Sequence, residues 1–310
     1  MNASTLETLA DGLQFPEGPV AMPDGSVLLV EIQRKTLTRI DASGVKHTVA
    51  TLGGGPNGAA IGPDGRCYVC NNGGFKFRTA NGLTFPGLAP DDYAGGWIEA
   101  VDLATGRSEV LYRSCGEIPL RGPNDLVFDQ HGGMWFTDHG KTMKRTRDRG
   151  AVFYARPDGS MIRQVIFPLD GPNGIGLSPD DCILYVAESF SGRLWAFDID
   201  GPGEVRKVNG ALPWERGRLL ATLPGYSIPD SLAIDAAGNV CVADIPHGGI
   251  SVIAPDGALL EQHPLPDIFP TNICFGGPDL RTAYITLSSS GKLVSMRWPR
   301  PGLPLHWLNR

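Results

Sequence analysis

No stretch of this 310-residue chain is long and apolar enough to read as a membrane span, and its opening, MNASTLETLADG, has neither a positive region nor an apolar core. A secretory leader and a membrane partner are therefore not expected, and a cytoplasmic location is. Basic charge is scarce: 27 Lys and Arg against 33 Asp and Glu leave a net charge of −6. That argues against a nucleic-acid partner, because neutralising phosphates takes a surplus of cations. The one dense basic stretch, KTMKRTRDRG at 141–150, reads as a solvated loop. Cys67, Cys70, Cys115, Cys182, Cys241 and Cys274 suggest no disulfide framework. Cys67 and Cys70 have metal-motif spacing, but on a strand residues three apart point to opposite faces, so packed, reduced thiols are expected. A Gly-x-Ser-x-Gly elbow is missing, and no pattern ties the Ser and His residues into a triad. Amphipathic runs of helical length are missing too, because 41 Gly and 26 Pro interrupt the connections, which removes the parallel α/β folds.

What is present is a repeat. Glu17, Asn57, Asn124, Asn173, Asp230 and Asn272 occupy the same point of six related units, FPEGPVAMPDG, GPNGAAIGPDG, GPNDLVFDQHG, GPNGIGLSPDD, IPDSLAIDAAG and PTNICFGGPDL. Six and seven residues after each anchor comes a turn pair, such as Pro23-Asp24 or Pro179-Asp180, and then a short apolar run ending in a polar residue, such as SVLLVEI or GMWFTDH. Runs of that length, rich in β-branched and aromatic residues and bounded by Gly, Pro and Asp, are strands of hairpins. Four-stranded units that bury their faces by radial stacking make an all-β, six-bladed β-propeller, expected as one domain over 1–310.

The anchors are 40, 67, 49, 57 and 42 residues apart, so the second unit carries an insertion, largely Asn72 to Trp97. It is expected to be a pocket lid or wall, and Phe75, Phe77, Phe85, Tyr93 and Trp97 in it form either a satellite core or an aromatic wall against substrate. The opening TLETLADGL reads as a strand that closes the ring on the last repeat.

In a propeller the first strand of each blade lines the axis, so the six anchors form a ring. Five follow a proline (Pro16, Pro56, Pro123, Pro172, Pro229), which fixes the chain as extended, and most precede a small residue (Gly18, Gly58, Gly174, Ser231). Two carboxylates and four amides facing one channel have two readings. One is Asx-type bonding of each side chain to its own backbone. The other is a cation site, since crowded carboxylates repel unless a divalent ion or shared protons neutralise them. An all-oxygen set favours a hard cation such as Ca²⁺, Mg²⁺ or Mn²⁺.

The segments FPEGPV, RGPNDL, GPNGIGLSPDDCILYVAESFSGRLWAFDID and IPDSLAIDAAGNVCVAD, in that order, resemble the senescence marker protein, gluconolactonase and luciferin-regenerating enzyme family, regucalcin-like lactonases included. The resemblance implies one divalent metal at the bottom of a central pocket, Ca²⁺ first, with Zn²⁺, Mn²⁺, Mg²⁺ and Fe²⁺ open, and hydrolysis of a small-molecule lactone. It implies metal ligation by Glu17, Asn173 and Asp230, with Asn124 beside the metal as ligand or substrate contact. Arg121, Asn124 and Asn57 fall on the substrate side, although Gly-Pro between Arg121 and Asn124 departs from the family pattern. A sugar lactone is the expected substrate; aryl lactones, phosphotriesters on the same site, and a non-catalytic calcium-binding propeller stay open. Asp230 is the expected general base and Asp125 its rival, being the one charged residue at a position otherwise filled by Gly, Ser or Ile. His139 and His247 are expected to be structural or rim histidines. The sequence leaves the oligomeric state open.

Overall fold

Each turn pair sends the chain back on itself, so every repeat becomes an antiparallel meander. The computed structural model describes residues 5–207 and 217–310. Blade one is Pro16–Ala21, Val27–Glu31, Thr36–Ile40 and Lys46–Thr51; blade two is Pro56–Ile61, Cys67–Asn71, Trp97–Val101 and Ser108–Tyr112. Blade three is Pro123–Phe128, Met134–Asp138, Gly150–Ala155 and Ile162–Leu169. Blade four is Pro172–Leu177, Ile183–Glu188, Arg193–Gly201 and Arg218–Thr222, with the short Glu204–Val205 added. Blade five is Ile228–Ile234, Val240–Ile245, Gly249–Ile253 and Leu259–Pro264. Blade six is Pro270–Gly276, Thr282–Leu287 and Lys292–Arg297, completed by Glu7–Ala10 from the other end of the chain.

The first strand of each blade lies against the first strands of both neighbours, which closes a six-bladed propeller around a central channel. Six separate apolar clusters hold it, one at each blade interface. Cys67 belongs to the core between blades one and two and Cys70 to that between blades two and three, on opposite faces of their strand, and the cysteines are free. Glu7 and Thr8 pair with Ser295 and Val294, so the outermost strand of the last blade comes from the start of the chain. Deleting residues 1–10 should expose the Lys292–Arg297 edge and lower the melting temperature by about 5–10 °C, read by calorimetry.

In blades one to four the polar residue ending the second strand has a structural task. Glu31 accepts Gln14 N at 2.7 Å, Asn71 Oδ1 accepts Gly55 N at 2.7 Å, Asp138 accepts Arg121 N and Gly122 N at 2.7 Å each, and Glu188 accepts Asp170 N at 2.7 Å. These bonds fix the segment just before the first strand, and so the direction in which the anchor is delivered. His247 joins the same layer through Nδ1, 3.2 Å from Asp244 Oδ1.

The insertion forms a hairpin, Phe77–Ala80 with Leu83–Pro86. Phe77 packs on Phe15 before blade one with ring centroids 5.2 Å apart, Phe85 packs on Phe269 before blade six at 5.9 Å, and Thr84 N donates to Ser289 O at 2.9 Å. On the other side Ala89 N reaches Thr142 O of blade three at 3.1 Å. A segment from blade two thus touches blades one, three and six at the end of the channel where the anchors lie. Phe75, Phe77 and Phe85 join Phe15 and Phe269 in one aromatic cluster that holds the loop down across blades, while Trp97 begins the third strand of blade two.

Candidate metal centre

All six first strands break their regular pairing at the anchor. The register slips between Glu17 and Val20, Pro56 and Ala59, Pro123 and Leu126, Pro172 and Ile175, Pro229 and Leu232, and Pro270 and Asn272. Such bulges re-aim a side chain. In blades one, two and four the residue after the anchor is a glycine that packs against the next blade more closely than a Cβ allows. A Cβ on Gly18, which has φ +54°, would stand 2.6 Å from Asn57 O, and one on Gly58 would stand 2.5 Å from Asn124 O. Adjacent anchors are therefore held within a residue of each other around the axis.

Five anchors are buried, Glu17, Asn57, Asn124, Asn173 and Asn272, while Asp230 is partly exposed. Glu17 Oε2 accepts Asn272 Nδ2 at 2.9 Å and its own neighbour Gly18 N at 2.6 Å. Burial nevertheless pushes the Glu17 carboxyl up to about 7, with the bonds from Asn272, Gly18 and Thr271 opposing. Asp230 is raised well above the carboxylate range, first by loss of hydration, then by the charge of Glu17, with a bond from Asn173 opposing and Asp125 adding repulsion. Ser231 Oγ reaches Asn173 Oδ1 at 3.4 Å. Asn124 Oδ1 is buried with no hydrogen-bond partner. Local backbone bonding thus accounts for Asn272, whose Oδ1 takes Ile273 N at 2.8 Å, and for part of Glu17, but not for Asn124.

This donor set fits a hard cation: two carboxylates short of a counter-charge and an amide oxygen with no hydrogen-bond partner among the described residues. Among the described residues no three of His, Cys, Asp and Glu come together closely enough to hold an ion by themselves. The set rests on amide oxygens as much as on acids.

Asp125 sits one residue beyond the ring. Its Oδ1 accepts Leu126 N at 2.9 Å, and burial, then the charge of Glu17, pushes it up to about 8. It borders the apolar half of the channel, a space of about 1020 Å³ including its open part, walled by residues such as Phe128, Leu232 and Phe275 and covered by the C-terminal Leu303–Arg310. Arg121 stands at the rim: its Nε pairs with Asp148 Oδ2 at 3.0 Å and its guanidinium lies 5.7 Å from the centre of the Tyr93 ring. His139 packs on Phe190 with centroids 5.0 Å apart, its buried Nδ1 unpartnered, and burial pushes its imidazole down to about 4. The 141–150 stretch is not wholly solvated. Lys141 is 2% exposed, with Nζ 2.7 Å from Asn72 O and 4.0 Å from the centre of the Phe75 ring.

The family profile described as SMP-30/Gluconolactonase/LRE-like region matches residues 15–289. The chain belongs to this family. Among relatives of this SMP-30/gluconolactonase/LRE-like protein, the gluconolactonase of Zymomonas mobilis is 29% identical over 327 residues, covering 95% of this chain and 82% of the relative. Lactonase drp35 of Staphylococcus saprophyticus is 30% identical, covering 84% and 72%. In structure, a gluconolactonase of Xanthomonas campestris matches with a TM-score of 0.75 at 23% identity, covering 96% and 91%. The calcium-binding protein regucalcin of Agrobacterium tumefaciens matches at 0.72 and 19%, covering 97% and 98%. At those identities the structural likenesses carry the fold.

Proposed function

We propose that this propeller is a divalent-metal-dependent lactonase, its ion held by Glu17, Asn124, Asn173 and Asp230, with the inserted hairpin of 72–97 as the pocket lid. One observation supports it most: the carboxyls of Glu17 and Asp230, both raised by loss of hydration and Asp230 further by the charge of Glu17, belong to the same ring of anchors as Asn124, whose Oδ1 has no partner among the described residues. The gluconolactonase and drp35 relatives, matched over most of their length, support lactone as the substrate class.

When bound, a divalent ion, Ca²⁺ first, would supply positive charge at the carbonyl oxygen of a lactone. The chain's own residues do the rest. Asp230 is the acceptor for the proton of attacking water: it is the one anchor that is not fully buried, and loss of hydration raises its carboxyl's affinity for a proton. Glu17 is fixed by Asn272 and Gly18 and keeps its charge in place. Asp125 faces the apolar half under the C-terminal segment, so it acts through its charge on Asp230. Asn57 and Asn124 present amides toward substrate oxygens, and Arg121 acts from the rim.

Chelator-treated protein should lose at least about 90% of its turnover of glucono-1,5-lactone and regain it with Ca²⁺ or Mn²⁺. Dihydrocoumarin and a phosphotriester run in parallel place the substrate class. Full turnover after chelation would end the metal mechanism.

A further inference from the structure

Lys141 is an ammonium group in the wrong place for a solvated loop. It is 2% exposed, and among the described residues no carboxylate lies within 4.0 Å of its Nζ. Its contacts are Asn72 O at 2.7 Å, Asn72 Oδ1 at 3.3 Å and the ring faces of Phe75 and Tyr93, centred 4.0 and 5.3 Å away. An ammonium has three donors, so these two oxygens, both from one residue, leave it short of a counter-charge. Loss of hydration accordingly pushes Lys141 down to about 7, with Asp138 opposing.

Asn72 tells the same story independently. Its Oδ1 takes Gly74 N at 2.8 Å, which fixes the amide's orientation, and its buried Nδ2 has no hydrogen-bond partner among the described residues. Two unspent donors of one site, an ammonium and an amide, sit under the same inserted segment. They lie at the anchor end of the channel: Asn72 N binds Gly55 O at 2.8 Å, two residues before Asn57, and His139 N binds Gly122 O at 2.9 Å, two residues before Asn124.

The surroundings carry the same sign. The segments 72–96, 113–122 and 139–149, which flank this point, hold nine Lys and Arg against four Asp and Glu, in a chain whose net charge is −6. A local excess of cations at a channel mouth concentrates anions there.

We propose that Lys141 Nζ and Asn72 Nδ2 form an acid-recognition subsite, and that the substrate is a lactone bearing an anionic group, a carboxylate or a phosphate. This rests on the lactonase reading for its chemistry but not for its binding. The anionic group supplies the counter-charge that Lys141 lacks and accepts from the free amide. A pin for the inserted segment is the competing role: it would change stability and leave substrate charge unread.

The experiment measures kcat/KM for glucaro-1,4-lactone against glucono-1,4-lactone, and for 6-phosphoglucono-1,5-lactone against glucono-1,5-lactone. The wild-type chain should prefer an acid-bearing member by about tenfold or more, and the pair showing it identifies carboxylate or phosphate. Lys141→Met should collapse that ratio through KM. Asn72→Asp, which places a carboxylate beside Lys141, should collapse it while raising the melting temperature. Equal wild-type rates within both pairs, or an undiminished ratio in a folded Lys141→Met, would overturn the subsite and leave the lactonase standing. If no lactone is turned over, the lactonase reading fails, and calorimetric titration with glucaro-1,4-lactone and with 6-phosphogluconate decides the subsite alone. Binding weakened about tenfold by Lys141→Met upholds it; absent or unchanged binding refutes it.

Discussion

Asp230→Asn should bind no calcium in a titration that gives the wild-type chain one ion, and its lactone turnover should fall by about 10²–10³-fold. The substitution keeps the shape and one oxygen but removes one of the two negative charges that match a divalent ion, as well as the proton acceptor. Glu17→Gln should lose calcium in the same way. Both should melt higher than the wild type when metal-free at pH 8, because each removes a carboxyl whose charged form is disfavoured, Glu17 by loss of hydration and Asp230 by loss of hydration and the charge of Glu17. Lower activity with higher apo stability is the mark of a functional charge cluster, since a structural ion pair would lose stability on the same change. An Asp230→Asn protein that keeps its calcium would remove Asp230 from the site.

The second large effect is a crossed dependence on pH and metal. Glu17 and Asp125 have folded values of about 7 and about 8, above their ordinary 4.5 and 3.8. Between about pH 4 and 8 the folded chain therefore holds more protons at these groups than the unfolded chain, and stability falls as pH rises through that window. Their protonation favours the fold most at the acid end and is gone above about pH 8. The metal-free protein should thus lose a few kcal/mol from this source between pH 5 and pH 8. Calcium should restore it at pH 8 and do little at pH 5, where it competes with bound protons. Melting curves at both pH values, with chelator and with excess Ca²⁺, read the four conditions. Equal stabilisation by calcium at pH 5 and pH 8 would mean that the ion binds elsewhere.

Sequence and structure agree where the signal is local and repeated. The anchor-to-turn interval delivers the blades, the small residues after Glu17 and Asn57 deliver the close approach of neighbouring blades, and strand periodicity places Cys67 and Cys70 in different cores. The strand at Glu7–Ala10 was legible because a ring of sheets leaves one edge that only a terminal segment can fill. Lys141 was not. Its burial depends on Asn72, Phe75 and Tyr93, which arrive from an insertion in another blade, and nothing in KTMKRTRDRG itself marks the first lysine as different. The pairing of Arg121 with Asp148 escaped for the same reason, since Asp148 lies on the next loop. The second ring of polar groups, Glu31, Asn71, Asp138 and Glu188, had a signal in the polar residue closing each apolar run, but spacing alone does not separate a backbone clamp from a ligand.

A cation held at the axis by oxygens from blades far apart in sequence underlies the proposed chemistry. Anomalous diffraction from crystals soaked in Mn²⁺, or a high-resolution map with Ca²⁺, measures it directly. The predicted result is one ion in contact with Glu17, Asn173 and Asp230, with Asn124 Oδ1 turned toward it, at about 2.1–2.6 Å from its oxygen ligands. A channel that stays free of metal at millimolar Ca²⁺ and Mn²⁺, or an ion bound only outside the ring of anchors, would contradict it.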